Sequence, residues 1–315
     1  MTATHELTQK IKAEALRLGF SACGVAKAEP VDAVTAERYH KWLAEGNHAS
    51  MAYLENNLDK RLDPTLLMPG AKSIISLAMN YYPAQKLRDD QFQFAYYAYG
   101  KDYHDVMKQR MRKLLSSTSL NSVNSLLCID TVPILDRYWA YRAGLGWIGK
   151  NGCLIIPHAG SFFFLAEILT DIELEYDTPI ENHCGNCRQC LDACPTGALQ
   201  PHTLDARKCL SYLTIEHRGD FPDNDLVAKA TGKGIYGCDR CQLACPHNRF
   251  AQPTSVLEFM PSQAFLSMRP DDWKQLTVEQ YRTLFKGSAV KRAKYDGLIR
   301  NIIAEFEKQQ RKTYE

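Results

Sequence analysis

The chain has 315 residues, which is long enough for two domains with their own hydrophobic cores. Its hydrophobic fraction of 45% and charged fraction of 23% are typical of globular proteins. It contains no run of about 18 apolar residues, so we expect no membrane-spanning helix. Residues 1–12 are polar and lack the apolar region of a signal peptide, so we expect a cytosolic protein. A net charge of +2 indicates no partner by itself.

Residues 1 to about 176 alternate helical and strand patterns. Apolar spacing predicts helices over 6–18, 30–46 and 135–143, and Asp102 can cap a further helix. Apolar runs predict strands over 20–26, 73–79 and 123–129. Residues 153–156 and 162–169 are predicted to form a strand pair around the turn 157–160. Two successive strands without a helix between them argue against a purely parallel sheet, so we predict one α/β unit of mixed strand directions.

Eight of the eleven cysteines form one pattern. The first run is Cys184-x2-Cys187-x2-Cys190-x3-Cys194-Pro195, the second is Cys238-x2-Cys241-x3-Cys245-Pro246, and Cys209 lies between them. This is the bacterial spacing for two iron–sulfur clusters, in which the cysteine before proline ligates the other cluster. We therefore predict one [4Fe–4S] cluster on Cys184, Cys187, Cys190 and Cys245, and a second on Cys194, Cys209, Cys238 and Cys241.

Zinc is an alternative occupant, because Cys-x2-Cys pairs also bind zinc, but the run of four suits a tetrahedral site poorly. A disulfide framework is not expected in the cytosol. Cys23, Cys128 and Cys153 lie in apolar contexts and are expected to be buried thiols. Residues 178–252 show little apolar periodicity and are expected to fold around their clusters, whereas residues 253–315 return to helical patterning.

Four glycines between residues 144 and 152 allow the backbone to approach another group closely. Three of them form a Gly-x-Gly-x-x-Gly string, but it follows a helix instead of a strand, so a dinucleotide site is not supported. The nine histidines show no metal-ligand spacing.

Several long motifs occur in order along nearly the whole chain. They are Asp130-Thr131 with Leu135-Asp136-Arg137, the segments 143–151 and 160–165, both cysteine runs, and residues 284–301. With these motifs the chain resembles the cobalamin-dependent epoxyqueuosine reductases of bacteria. Many members of that family carry an additional C-terminal helical-repeat region, which contributes part of the usual RNA-contact surface.

The resemblance implies a fold and a function. It implies an α+β fold: a cobalamin-binding catalytic domain over 1–177, similar to nitroreductase-related and vitamin-B12-processing domains; a ferredoxin-like domain with two [4Fe–4S] clusters over 178–252; and a short helical region contacting tRNA over 253–315. It implies reduction of epoxyqueuosine to queuosine at the wobble position of tRNA, the last step of queuosine biosynthesis. Electrons are expected to pass from an external donor, whose identity the sequence does not reveal, through the clusters to cobalamin.

Asp130 is the predicted proton donor, because it follows an apolar strand and an apolar floor would raise its pKa. A merely structural turn before Pro133 is the alternative. Asp136 is expected to cap a helix or to pair with Arg137. Further predicted cofactor contacts, each of which is otherwise a surface residue, are Arg61, Lys150, Asn151, Ser161 and Ser211. The aromatic residues of 92–103 are candidates for a cofactor wall or for plain core.

Basic residues concentrate between 286 and 300, which suits phosphate contact, although such runs are often simply solvated. The predicted tRNA-binding residues are Lys291, Arg292, Lys294 and Arg300, and Tyr295 is a candidate for stacking on a base. Two other functions compete: a corrinoid reductive dehalogenase, and an electron-transfer module that does no chemistry. We expect a monomer.

Overall fold

The computed structural model describes residues 2–118, 120, 123–222, 227 and 232–314, with side chains through 308. The strands are β1 (Ala22–Lys27), β2 (Ser73–Asn80), β3 (Gln93–Phe94), β4 (Ser125–Cys128), β5 (Trp147–Ile148), β6 (Leu154–Ile155), β7 (Phe163–Thr170), β8 (Leu199–Gln200), β9 (Thr203–Leu204) and β10 (Gly234–Tyr236).

The helices fall into an N-terminal and a C-terminal set. The first set is α1 (Ala3–Arg17), α2 (Ala33–Ala44), α3 (Leu58–Leu62), α4 (Tyr103–Ser117), α5 (Asp136–Arg142), α6 (Gln189–Asp192) and α7 (Leu210–Ile215). The second set is α8 (Arg240–Leu243), α9 (Gln263–Ser267), α10 (Pro270–Lys274), α11 (Val278–Leu284) and α12 (Lys294–Tyr314). No helix among the described residues combines the length and the apolar character needed to cross a bilayer.

A four-stranded sheet in the order β1-β2-β7-β4 organises the N-terminal region, and all its neighbouring strands are antiparallel. Helices α1 and α4 cover one face, through residues such as Ile11 and Met107, and α5 covers the other through Trp139. Because both faces of the sheet are covered, β2 is buried along nearly its whole length, and its apolar residues do not alternate strictly with polar ones. The prediction that the sheet is not purely parallel is confirmed, but the predicted mixture of strand directions is wrong, because every neighbouring pair in this sheet is antiparallel.

The predicted strand pair over 153–156 and 162–169 is wrong. β6 pairs with β5, while β7 lies between β2 and β4, and an isolated bridge from Ile156 to Gly160 closes the turn between the two segments. β7 carries apolar residues on both faces, so a central position buries far more of its surface than a two-stranded hairpin would.

A second core joins residues from all three parts of the chain. β3 and β10 pair in parallel, and the rings of Phe94 and Tyr236 on these strands lie 5.8 Å apart. Phe94 also contacts the fully buried Trp273, at 5.2 Å between ring centroids, and Phe265 of α9. The domain boundaries at 177 and 252 stay predictions, but this core shows that the C-terminal helices pack against both preceding segments.

A buried carboxyl pair lies between the sheet and α5. Glu167 of β7 is fully buried, and neither of its carboxyl oxygens meets a donor among the described residues. Burial, followed by the adjacent carboxyl of Asp136, raises the pKa of Glu167 well above its usual value. Since two such groups cannot both ionise in an apolar interior, the pair holds a proton near neutral pH. The expected ion pair between Asp136 and Arg137 is wrong: the Arg137 guanidinium donates to the carbonyl of Gly152.

We expect Glu167→Gln to raise the free energy of unfolding by about 1–2 kcal/mol near pH 8, because it removes a buried ionisable group at almost constant shape. The folded protein holds the Glu167 proton more tightly than the unfolded chain, so wild-type stability falls as pH rises above the ordinary value of 4.5 towards the folded-state pKa. The gain should therefore be larger near pH 8 than near pH 5. Urea unfolding measures it, with the exposed Glu37→Gln as control. An equal difference at both pH values would contradict this account.

Candidate functional site

Asp130 lies just beyond the end of β4, beside the first turn of α4. Its backbone φ is +51°, a left-handed conformation that aspartate tolerates better than most residues. Its side chain is 62% exposed, so it faces solvent instead of an apolar floor. The Tyr103 hydroxyl donates to its Oδ2 at 2.5 Å, and Nε2 of His104 lies 3.4 Å from the same oxygen.

His104 bridges two carboxylates. Asp102 caps α4 as predicted, accepting the backbone N–H of His104 at 3.1 Å, and its Oδ1 lies 2.6 Å from Nδ1 of the ring. The imidazole stacks on Tyr103 with 4.1 Å between ring centroids, and Tyr103 stacks on Phe164 of β7 at 4.3 Å. These contacts hold the imidazole in one orientation between Asp102 and Asp130.

The expected raised pKa of Asp130 is wrong. The hydrogen bond from His104 lowers the pKa of Asp130, with the Tyr103 hydroxyl adding to the effect against partial burial. Partial burial disfavours the charged form of His104, but its hydrogen bonds to Asp102 and Asp130 outweigh this and raise its pKa to about 9. Burial and then the Asp130 charge raise the pKa of Tyr103. Near neutral pH, Asp130 is therefore ionised and the nearby protons lie on His104 and Tyr103.

His104 was not predicted as a site residue, and Tyr103 was predicted only as one of the aromatic candidates for a cofactor wall. The string Asp102-Tyr103-His104 at a helix start was a usable signal, since a capping carboxylate and an imidazole two residues apart share the first turn. Their closeness to Asp130, however, is a tertiary contact across 26 residues, from His104 to Asp130, which no local pattern contains.

Tyr53 connects Asp130 with the predicted RNA-binding region. It lies in the turn Ala52–Leu54, is 46% exposed, and has the Arg292 guanidinium 5.5 Å from its ring centroid. Burial, followed by the negative charges of Glu216 and Asp130, raises the pKa of Tyr53 against the effect of Arg292. Arg292 and Asp130 therefore both lie near Tyr53.

The structure brings one set of four cysteines together. Burial raises the pKa of Cys245 and the backbone N–H of His247 lowers it, while the charges of the cysteines in the 184–190 run raise it further. Within that run, burial raises the pKa of Cys190, and the charges of Cys184 and Cys187 raise it further. Cys245, which is distant in sequence, thus lies beside the first three cysteines.

The other four cysteines are also neighbours. After burial, the largest contribution that raises the pKa of Cys238 comes from Cys209, while Cys209 in turn feels Cys194. Cys241 lies close to Cys238 and Cys209, and also to the thiol of Cys153. Cys128 is buried, and Cys23 and Cys153 are half-buried free thiols.

Lys150 and Asn151 anchor the cysteine-rich segment to the N-terminal region. Lys150 Nζ donates to the carbonyls of Gly185 and Cys187, at 2.7 and 2.9 Å, and Asn151 donates to the carbonyl of Cys241 at 3.3 Å. A Cβ on Gly146 would lie 2.1 Å from the carbonyl oxygen of Ile155. The glycines therefore permit close packing of the chain on itself.

The remaining predicted cofactor contacts differ in their surroundings. Arg61 is 8% exposed; its Nη2 donates to the carbonyl of Tyr53 at 3.2 Å, but its Nε has no hydrogen-bond partner among the described residues. Ser161 is buried, and its N–H donates to Asn248 Oδ1 at 2.7 Å. Ser211 is half-buried in the first turn of α7, next to the Cys209 loop. Arg61 alone of these three presents an unpaired donor, and all cofactor contacts stay predictions.

The predicted RNA-binding residues have unequal freedom. Lys291 and Lys294 are exposed, whereas Arg292 is paired with Glu216 at 2.7 Å. The Arg300 guanidinium donates to the carbonyls of Leu213, His217 and Gly219. Arg300 therefore holds α7 and its following turn against α12, whatever else it contacts.

Tyr295 is half-buried and less available than expected for stacking on a base. Its hydroxyl donates to the carbonyl of Leu276 at 2.8 Å, and its ring packs edge-on against Tyr281 with 5.6 Å between the centroids. These contacts give Tyr295 a role in the C-terminal core.

Two family models match the chain. Residues 61–131 match the model described as "Epoxyqueuosine reductase QueG, DUF1730", and residues 183–248 match a 4Fe-4S double cluster binding domain. Among curated relatives, epoxyqueuosine reductase from Cellulophaga algicola is 44% identical, with 96% of this chain and 99% of the relative covered. The Escherichia coli epoxyqueuosine reductase is 37% identical, with 95% and 80% covered.

Solved structures agree with the sequence relatives. A crystal structure of epoxyqueuosine reductase with an epoxyqueuosine-modified tRNA-Tyr stem loop superimposes with a TM-score of 0.87 at 31% identity, over 96% of this chain and 81% of that one. A Bacillus subtilis epoxyqueuosine reductase with its catalytic aspartate loop swung out of the active site gives 0.85 at 30% identity, over 96% and 81%. The chain, a mixed helix-and-sheet protein with a double-cluster segment, belongs to the epoxyqueuosine reductase family of oxidoreductases.

Proposed function

We propose that this chain reduces epoxyqueuosine to queuosine in tRNA with cobalamin and two [4Fe–4S] clusters. The reaction adds two electrons and two protons and releases the epoxide oxygen as water. The observation that carries the proposal is the charged group Asp102–His104–Asp130, which holds a proton on His104 next to the exposed carboxylate of Asp130. Arg292 lies near this group, over the Tyr53 ring. The complex of a relative with a modified tRNA stem loop supports tRNA as the substrate.

The eight grouped cysteines fit two clusters. Thiolates are the usual ligands of [4Fe–4S] clusters, four per cluster. The proposed ligands are Cys184, Cys187, Cys190 and Cys245 for one cluster and Cys194, Cys209, Cys238 and Cys241 for the other. The proximity of Cys245 to the 184–190 run supports this exchange of the fourth ligand between runs. Such thiols need a reducing compartment, so we place the protein in the cytosol. We propose that it is a monomer.

We propose that the N-terminal region is a nitroreductase-like domain and that it binds cobalamin beside Asp130. The buried, unpaired Nε of Arg61 needs an acceptor, and the amide side chains of a corrin offer one. Lys150, Asn151, Ser161 and Ser211 are the further proposed contacts, with Asp130 on the open side. Cobalamin, when bound, supplies a strongly reducing cobalt centre.

The protein's own residues handle the proton. Asp130 is ionised and His104 is protonated near neutral pH, so we propose that His104 provides the proton. Asp130 orients the His104 imidazole towards the departing oxygen. Tyr103 fixes Asp130 by its hydrogen bond. A protein that only carried electrons would have no use for this arrangement.

We expect Asp130→Asn to lower turnover of epoxyqueuosine-containing tRNA by about 10²-fold or more, because general acid–base groups contribute typically 10²–10⁴-fold. Asparagine keeps the shape but carries no charge to hold the protonated His104 in place. The visible spectrum of the anaerobic protein should still show corrin and cluster absorption. Unchanged turnover would remove Asp130 from the mechanism.

The pH dependence of kcat tests His104. A pKa of about 9 predicts that kcat falls as pH rises through about 9, because the proton is then lost from the imidazole. In Asp102→Asn the ring loses one of the two carboxylates that stabilise its charge, so this limb should shift to lower pH. The profile of kcat is measured between about pH 6 and pH 10 in both proteins. Superimposable profiles would contradict the role of His104.

Lys291→Ala combined with Arg292→Ala should weaken tRNA binding. The slope of log K against log salt concentration should become shallower by about one to two, because up to two phosphate contacts are lost. Filter binding at several salt concentrations measures both quantities. The matched control is Lys10→Ala with Lys113→Ala, two exposed lysines on α1 and α4. Unchanged affinity of the first variant would place the RNA surface elsewhere.

A further inference from the structure

A cavity opens beside Cys245, one of the four cysteines proposed to hold the first cluster. It has a volume of about 350 Å³ and is lined by Tyr82, Phe162, Leu243, Cys245 and Arg249, among others. None of its lining residues belongs to the group around Asp130. Asn248, which also lines the cavity, accepts the N–H of Ser161, so the cavity adjoins one proposed cobalamin contact without containing the proton-carrying group.

Cys245 places this cavity in contact with the redox path. It is the proposed fourth ligand of the first cluster, and it forms part of the cavity wall. Electron transfer between proteins slows steeply with the distance between redox groups. A donor seated in the cavity would approach a cluster ligand directly, without intervening protein.

The centre of the cavity surface is apolar. Leu243 is 50% exposed although it is a large hydrophobic residue, and the rings of Tyr82 and Phe162 lie beside each other with 4.9 Å between centroids. Aromatic rings next to an exposed aliphatic side chain can pack against the edge or the face of another ring system. An exposed apolar centre with a polar rim is a frequent pattern of protein-binding surfaces.

The rim of the cavity is positively charged. Arg249 lines it, with its guanidinium 4.6 Å from the Phe250 ring, and Lys86 Nζ lies 2.6 Å from the Tyr82 hydroxyl. No aspartate or glutamate is among the residues that line the cavity. This charge favours an acidic partner over a basic one.

We propose that this surface docks a small acidic flavoprotein that delivers single electrons to the first cluster. The inference rests on the proposed function, which requires an external donor. In each step the anionic flavin hydroquinone of the partner loses one electron and the cluster gains it, so no bond forms between the proteins. The apolar cavity admits the edge of the flavin, while Lys86 and Arg249 attract the acidic surface around it.

The test uses the holoenzyme with both clusters and cobalamin, and a bacterial flavodoxin as the probe. The variant is Lys86→Glu with Arg249→Glu, and the control is Lys10→Glu with Lys113→Glu. Calorimetry should show flavodoxin binding that is about tenfold weaker in the variant at low salt, with the difference shrinking at high salt, since rim charges act through screened electrostatics. Stopped-flow bleaching of the cluster absorption by reduced flavodoxin should slow in parallel. A milder variant, Lys86→Gln with Arg249→Gln, should show an intermediate loss.

Turnover driven by dithionite separates this proposal from the proposed function. A small reductant needs no docking surface, so variant and wild type should reduce epoxyqueuosine-containing tRNA equally. Equal flavodoxin affinity in variant and wild type, or no reduction of the wild-type clusters by flavodoxin, would overturn the docking site and leave the function intact. Failure of dithionite-driven turnover in the wild type would overturn the function instead, while the flavodoxin affinities would still decide the docking site.

Discussion

The pairing of β4 with β7 is the constraint on which the candidate site depends. Cys128 pairs with Glu167, and this register sets where the chain leaves the sheet and where Asp130 begins the following loop. On the neighbouring part of β7, Phe164 supports the Tyr103 ring, which holds Asp130 through its hydroxyl. A shift of one residue would turn every β4 side chain to the opposite face and separate these groups.

The same sheet carries a cost beside the site. Asp136 begins α5 directly after the loop that carries Asp130, and its carboxyl meets the buried Glu167 on β7. An apolar pair there would be more favourable for folding, as buried polar groups without good partners usually destabilise a protein. Residues near active sites often break the rules that the rest of a fold follows.

The proposed electron supply and the proposed chemistry lie in segments of the chain that pack against one another. Lys150 and Asn151 bind the cysteine-rich segment to the N-terminal region, while Phe94, Tyr236 and Trp273 join both to the C-terminal helices. Arg292, just before α12, reaches the ring of Tyr53. This packing places proposed clusters, acid group and RNA-facing residues within one body.

The sequence alone determined the features that depend on near neighbours. Cysteine spacing predicted cluster chemistry because three of the four proposed ligands of the first cluster come from one short run. Capping by Asp102 and most helices and strands of the N-terminal region followed from local patterns. Only the tertiary structure decided the central place of β7, the low pKa of Asp130, the proton on His104 and the carbonyl contacts of Arg300. Each of these depends on burial and charge contributed by residues far away in the chain, which no local pattern contains.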